Sequence, residues 1–280
     1  MSYHLSAIQM LSVANADVNI ERITKLLNDL APQKNQLVLL PENAISSTNP
    51  EGYLAVSETL GEGYYQEQLA NLSKQYECYL ICGSFPIKSK QTNKIFTTML
   101  VFSPAGELIS HYHKIHLFDA LVGDEKGIYR ESDSFIPGQD YVLFDWQGND
   151  NSSVKVGLAI CYDLRFPGLF QRLRAEGAEV FVVPAAFTQR TGEAHWQPLL
   201  QARAIENQCY VVAANQGGKH ENGRQTFGHS MIISPWGEIL SQLEYGEGIV
   251  QSEFNKERIE QIRQAMPITL HNRFYSDLAP

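Results

Sequence analysis

Two five-residue stretches, Ser103-Pro-Ala-Gly-Glu107 and Ser234-Pro-Trp-Gly-Glu238, differ at a single position and constrain this chain more than any other feature. Proline in second place and glycine in fourth are turn chemistry, so each stretch reads as the tip of a β-hairpin. Each also closes a series of alternating β and α segments. In the first series a strand from Leu5 to Met10 precedes a helix from Asp17 to Leu30. Ile20, Ile23, Leu26, Leu27 and Leu30 keep helical spacing, and Pro32 stops the helix. The continuous apolar run from Leu37 to Leu40 predicts a strand buried on both faces. A helix from Tyr64 to Tyr76 and a strand from Tyr79 to Cys82 follow, and the hairpin then pairs Lys94 to Phe102 with Leu108 to Leu117. The second series repeats the pattern: strand Val154 to Ile160, helix Pro167 to about Gly177, strand Val180 to Val183, helix Ala194 to Asn207, strand Tyr210 to Ala214, then the second hairpin.

Two such halves, packed sheet against sheet with helices outside, make a four-layer αββα sandwich of the α/β class. No low-complexity or Pro/Ser-rich linker divides residues 1–280, so they read as one domain. Between the halves, Asp119 to Asp140 is expected to be irregular, and a loop of that length inside a compact domain is usually functional or disordered.

Charge narrows the partners. Asp and Glu total 31 against 22 Lys and Arg, a formal charge of −9 with no basic run, so nucleic acid and anionic membrane are disfavoured. The N-terminus lacks the basic region and long apolar core of a signal peptide, and no apolar run is long enough to span a bilayer. A cytoplasmic location is the expectation, and four cysteines are too few for a disulfide scaffold.

Cys161 follows an apolar strand and precedes the helix opening at Pro167, a position where proline is favoured. A thiol on that turn, near a helix N-terminus, is expected to fall below its free pKa of about 8.5 and to lie where an oxyanion can be held. Cys78, Cys82 and Cys209 sit inside strand-like runs and read as packing residues. Glu42 stands at the end of the Leu37 strand, where ligands gather in α/β sheets. An apolar wall there is expected to raise its pKa and suit it to general-base work. Lys114, in His111-Tyr-His-Lys-Ile-His-Leu-Phe118, is either a fixed charge for an oxyanion or a solvated edge lysine. His111 and His113 share a strand face and could bind metal with His116. No fourth ligand has matching spacing, so no metal or other cofactor is expected.

Taken together, Glu42, Lys114 and Cys161 resemble the Glu–Lys–Cys triad of the nitrilase superfamily, the carbon–nitrogen hydrolases. The matching segments are Leu39-Leu-Pro-Glu-Asn43, His113-Lys-Ile-His-Leu-Phe-Asp119 and Gly157-Leu-Ala-Ile-Cys-Tyr-Asp-Leu-Arg-Phe-Pro167. Similarity continues through Pro184-Ala-Ala-Phe187, Thr191-Gly-Glu-Ala-His-Trp196, Ala202-Arg-Ala-Ile-Glu-Asn207 and Gly228-His-Ser-Met231, nearly the whole chain. The resemblance implies that Glu42 acts as general base, Lys114 binds the oxyanion and Cys161 attacks an amide carbon, with Glu131 as a supporting glutamate. It also implies the αββα fold and a homodimer or higher homo-oligomer, with a tail from about Pro267 to Pro280 reaching the partner.

Within the superfamily the motifs are most similar to the ω-amidase and deaminated-glutathione amidase branches, through His116-Leu-Phe-Asp119 and Glu131-Ser-Asp-Ser-Phe-Ile-Pro-Gly138. Ala214-Asn-Gln-Gly-Gly-Lys-His220 leans to the second, while Phe118 to Gly127 departs from the family pattern. The expected substrate is a small amide bearing a carboxylate, deaminated glutathione first. Motif position assigns Tyr162, Arg165, Phe187 and Thr191 to substrate binding. Arg165 has the planar fork that matches a carboxylate, though a structural ion pair would use it equally well. Alternatives are an ω-amidase acting on 2-oxoglutaramate or 2-oxosuccinamate, an N-carbamoyl hydrolase or N-acyltransferase with the same triad, and a catalytically silent binding protein.

Overall fold

The computed structural model describes residues 3–123, 127–148, 152–221 and 223–274. Two six-stranded sheets share one strand order. The first runs Gly248–Phe254, Tyr3–Gln9, Leu37–Leu39, Tyr79–Lys88, Ile95–Phe102, Leu108–His113. The second runs Leu143–Gln147, Ser153–Leu158, Val180–Ala185, Tyr210–Asn215, Ser230–Ile233, Ile239–Leu243. In each, three parallel strands are flanked by one antiparallel strand on one side and an antiparallel hairpin on the other. The two near-identical turns occupy equivalent places and are bonded alike. Ser103 and Ser234 each take the N–H of Gly106 or Gly237 on the carbonyl, at 2.8 and 2.9 Å. Their hydroxyls accept from the backbone of Ala105 and Glu107, or of Trp236 and Glu238.

Side-chain alternation explains the layers. Leu37, Leu39, Ile81, Met99 and Val101 pack with the core of the second sheet. Their neighbours Val38, Leu40, Leu80, Cys82 and Leu100 pack instead with Ile23, Leu26, Leu27, Leu69 and Leu72. Those partners come from the outer helices Ala16–Leu30 and Tyr64–Gln75. On the other side, Leu169, Phe170 and Leu173 of helix Pro167–Ala175 and Leu200 and Ala204 of helix Gln189–Asn207 cover the second sheet. The result is the αββα sandwich, with the central strands Leu37–Leu39, Val180–Ala185 and Tyr210–Asn215 buried on both faces.

Several boundaries differ from the sequence reading. The strand expected to reach Leu117 stops at His113: the Lys114 N–H still bonds Thr97 O of the neighbouring strand at 2.9 Å, but its carbonyl takes the Gly138 N–H at 2.8 Å. Gly138 is required there, since a Cβ would meet His113 O at 2.1 Å. The strand from Tyr79 runs on to Lys88 through a register shift between Cys82 and Phe85. The helix expected at Ala194 begins a turn earlier, at Gln189, capped by Thr188. Asp119 to Asp140, expected to be irregular, contains two short paired strands, Asp119–Leu121 and Ile128–Arg130, then a 3-10 turn, Glu131–Asp133. Parts of two readings fall outside the described residues: positions 124–126 of the variant segment and 275–280 of the tail.

Candidate active site

The parallel strands of both sheets end at one rim, and the site is assembled there from separate segments. Glu42 follows the Leu37–Leu39 strand. The chain can turn there because Gly83 leaves room: a Cβ on it would meet Leu40 O at 2.2 Å and Pro41 O at 2.4 Å. The Glu42 carbonyl is held by Gln216 Nε2 at 2.9 Å, and the next residue, Asn43, is left-handed with φ 61°. Cys161 lies three residues past strand Ser153–Leu158 at φ 47°, a conformation costly for a side chain with a Cβ.

Asp163 fixes that turn. Its Oδ2 accepts from Ile160 N–H and Tyr112 Oη, both at 2.8 Å, and its Oδ1 lies 2.7 Å from His116 Nδ1 and accepts the His116 N–H at 3.1 Å. This fully buried carboxylate therefore ties the Cys161 turn to the segment that carries Lys114. His116 is engaged in this way, and His113 contacts Thr98 Oγ1 at 2.8 Å. Among the described residues no cluster of three or more His, Cys, Asp or Glu is arranged to hold a metal ion.

Lys114 is the centre of the polar network and only 2% exposed. Its Nζ donates to Glu42 Oε1 at 2.9 Å and to Glu131 Oε2 and Oε1 at 2.9 and 3.2 Å. Glu131 is held in turn by Thr97 Oγ1 at 3.0 Å and Phe118 N–H at 2.7 Å, and Glu42 Oε2 accepts the Ala186 N–H at 2.9 Å. The Cys161 thiol and the Glu42 carboxylate are near enough to act on each other's ionisation.

Two electrostatic expectations are reversed. Burial pushes the Glu42 carboxyl up, but the Lys114 ammonium and hydrogen bonds from Cys161 and Lys114 outweigh it, and the group lies below its ordinary value. The deciding neighbour is the lysine, not the apolar wall. Burial pushes the Cys161 thiol well above its ordinary value, and the Glu42 carboxylate beside it pushes the same way. The helix dipole does not counter this, because Cys161 opens a 3-10 segment, Cys161–Arg165, and the α-helix begins only at Pro167. Lys114 is held well above its ordinary value: burial opposes its charge, but Glu131 and Glu42 prevail. These directions favour a neutral thiol beside an ionised Glu42 carboxylate and a protonated Lys114. Cys78 and Cys82, pushed up to about 12, and Cys209, pushed up to about 11, are buried packing thiols, though only Cys82 lies within a strand; Cys78 and Cys209 stand just before Tyr79–Lys88 and Tyr210–Asn215.

All eight residues singled out in the sequence line one cavity of about 1080 Å³: Glu42, Lys114, Glu131, Cys161, Tyr162, Arg165, Phe187 and Thr191. Arg165 makes no ion pair with a carboxylate among the described residues. Its guanidinium lies 5.5 and 5.8 Å from the Phe187 and Tyr162 ring centroids and 3.2 Å from His195 Nδ1. Thr191 is partly engaged in capping, its Oγ1 2.9 Å from Thr188 Oγ1. The variant segment does border the cavity, through Phe118 and through Gly123 O, which accepts from the lining residue Arg190. Tyr53 and Arg224 also line it and carried no sequence signal.

The sequence profile described as carbon-nitrogen hydrolase matches residues 4–264. The chain belongs to the carbon-nitrogen hydrolase family. It is 40% identical over 278 residues to a deaminated glutathione amidase of Yersinia enterocolitica, covering 99% of this chain and 95% of that one. It is 34% identical over 277 residues to omega-amidase NIT2 of Homo sapiens, covering 99% and 96%. Among solved structures, Saccharomyces cerevisiae Nit3, a member of branch 10 of the nitrilase superfamily, superposes with a TM-score of 0.83 at 29% identity over 98% of this chain and 97% of that one. As a carbon-nitrogen hydrolase the protein is an enzyme that cleaves C–N bonds other than peptide bonds.

Proposed function

We propose that the protein is a cysteine amidase whose preferred substrate is deaminated glutathione. The observation that carries the catalytic part is the buried Lys114, which bridges Glu42 and Glu131 on the floor of the cavity that Cys161 also lines. In this reading Sγ attacks the amide carbon as Glu42 takes the thiol proton. Lys114 faces the developing oxyanion, a charge it is pre-positioned to meet. Collapse of the tetrahedral adduct breaks the C–N bond, and the leaving amine takes the proton from Glu42. A water then gives its proton to Glu42 and attacks the thioester, releasing a carboxylic acid and restoring the thiol. Glu131 keeps Lys114 in place.

Arg165 supplies a planar fork for a substrate carboxylate, while Phe187, Tyr162 and Thr191 shape the cavity around it. The amidase names of the relatives above support the substrate class. The test is a panel of kcat/KM values. Deaminated glutathione is expected to be best, 2-oxoglutaramate slower and simple nitriles negligible; an N-carbamoyl compound or an uncharged aliphatic amide ranking first would refute the substrate reading.

A homodimer and a cytoplasmic location complete the proposal. Large apolar side chains stand exposed at Leu270 and Phe274 in the tail, at Ile205 on the outer helix and at Trp236 in the second hairpin turn, where a partner subunit would cover them. Four unpaired cysteines fit a reducing compartment. Sedimentation at micromolar concentration is expected to give twice the chain mass, and a monomer would end the assembly claim. Cell fractionation checks the location.

A further inference from the structure

A base from the first half of the chain has to meet a nucleophile from the second. Glu42 follows strand Leu37–Leu39 of one sheet, and Cys161 follows strand Ser153–Leu158 of the other. The apolar side chains that pack the two sheets together attract without direction. They bring the halves into contact but do not fix one residue against another to the tolerance catalysis needs, where a misplacement of about 1 Å can cost about 10²-fold in rate. Directional bonds between the halves have to do that, and at the Glu42 backbone they come from one side chain.

Gln216 stands just past strand Tyr210–Asn215 and is fully buried. Its Oε1 accepts the Ser12 N–H at 2.9 Å, and its Nε2 donates both to Ser12 Oγ at 2.7 Å and to the Glu42 carbonyl at 2.9 Å. A backbone N–H on one side and a backbone carbonyl on the other allow only this orientation of the amide. Ser12 Oγ passes the restraint on by donating to the Ala44 carbonyl at 3.3 Å. The carbonyls on either side of left-handed Asn43 are thereby held by one amide, directly and through Ser12, while Ser84 Oγ takes the Asn43 N–H at 2.7 Å. Glu42 is also gripped at its other end. Its Oε2 accepts the Ala186 N–H, and the preceding carbonyl, Ala185 O, takes the Gln216 N–H at 3.0 Å. Both anchors of the base therefore stand at the ends of one pair of parallel strands in the second sheet, Val180–Ala185 and Tyr210–Asn215.

Resting on the amidase reading above, we propose that Gln216 is a positioning residue for the general base: its amide fixes the Glu42 backbone to the second sheet and so sets the carboxylate in place for the Cys161 proton. Without that amide the carboxylate still has Lys114 and the Ala186 N–H, so the base is present and ionised. What is lost is the aim of its oxygens, because the turn that carries Glu42 is free to relax. Gln216 does not line the cavity, so substrate binding is not its task.

The test is a double-mutant cycle on the best amide of the panel, joining Gln216→Met, which keeps the size and removes the amide, to Glu42→Gln. Gln216→Met alone is expected to lower kcat about 10- to 100-fold with KM little changed. In the Glu42→Gln background the same substitution is expected to cost nothing further, since a residue that acts through the base has no effect once the base is gone. Gln36→Met is the matched control. Gln36 is a buried amide at the opposite end of the Leu37–Leu39 strand, accepting the Gln33 N–H at 2.8 Å and donating to Ser6 Oγ at 2.6 Å. Its loss is expected to lower stability to chemical denaturation and leave kcat as it was. Should Gln216→Met fail to fold, Gln216→Asn, an amide one methylene too short to hold Ser12 and Glu42 together, decides by the same cycle. An unchanged kcat, a loss that is just as large without Glu42, or an equal loss in Gln36→Met would make Gln216 a packing residue and overturn the proposal alone. A Glu42→Gln enzyme with native kcat would instead bring down the base assignment, and this inference with it.

Discussion

Cys161→Ala abolishes turnover, lowering kcat/KM by at least about 10⁴-fold on the best amide in the panel. The size follows from the absence of a substitute. Cys78, Cys82 and Cys209 are fully buried in the packing of strands and helices, with thiols raised to about 11 or 12. The substitution is clean, because alanine keeps the Cβ that already tolerates φ 47° at this turn and leaves Asp163 and its four contacts in place. Intact-mass analysis of the wild type with a slow substrate is expected to show an acyl adduct, mapped to Cys161 by digestion. An alanine variant with near-native activity, or an adduct on another cysteine, would remove the nucleophile assignment.

Glu42→Gln and Lys114→Ala are expected to lower kcat steeply, by about 10²–10³-fold or more, with KM much less affected, because in the proposed mechanism both groups act on charge that develops during attack. They differ in stability. Lys114→Ala strands the buried Glu42 carboxylate and the part-buried Glu131 carboxylate and is expected to cost about 3–5 kcal/mol, read from chemical denaturation. Glu42→Gln leaves the Lys114–Glu131 pair intact and costs less. The pH profile separates the roles further. Glu42 is depressed below its ordinary value, so its contribution to folding is complete above the ordinary carboxylate pKa and is lost as pH falls through the lower folded value. The acid limb of kcat/KM should lie below the usual carboxylate range and should vanish in Glu42→Gln. A variant that raised KM and kept kcat would turn either residue into a binding group.

What could be read from the sequence is what local chemistry decides. Leu37 to Leu40 announced a strand because both of its faces are buried, and the two Ser-Pro-X-Gly-Glu turns announced a duplication because each turn is bonded within itself. Strand Leu143–Gln147 escaped notice because only one of its faces is covered and Asp145 and Gln147 point outward. Strand Gly248–Phe254 lies at a sheet edge, with buried positions diluted by Gln251 and Glu253, and its partner is at the other end of the chain. Glu42, Lys114, Glu131 and Cys161 were visible as motif positions, but the direction of their titration was not. The Glu42 carboxyl is set by an ammonium 72 positions away, and the thiol by its burial and then by a carboxylate from the other half. Arg224 belongs to the same class: nothing around it in the chain marks it, and its place depends on a two-stranded ribbon folding over Ala186.

The pairing of Ile8 with Ile249 has a consequence for biosynthesis. Strand Tyr3–Gln9 leaves the ribosome well before the neighbour that satisfies one of its edges, which is encoded about 240 residues later. At typical elongation rates that edge stays open for roughly ten to fifty seconds in each round of translation. Throughout that interval the nascent chain presents unpaired backbone beside Leu5, Ala7 and Ile8, a template for misassociation with other nascent chains. The hazard ends only when residues 248–254 arrive, so the first half must remain incomplete, and within reach of chaperones, until nearly all of the second has been made.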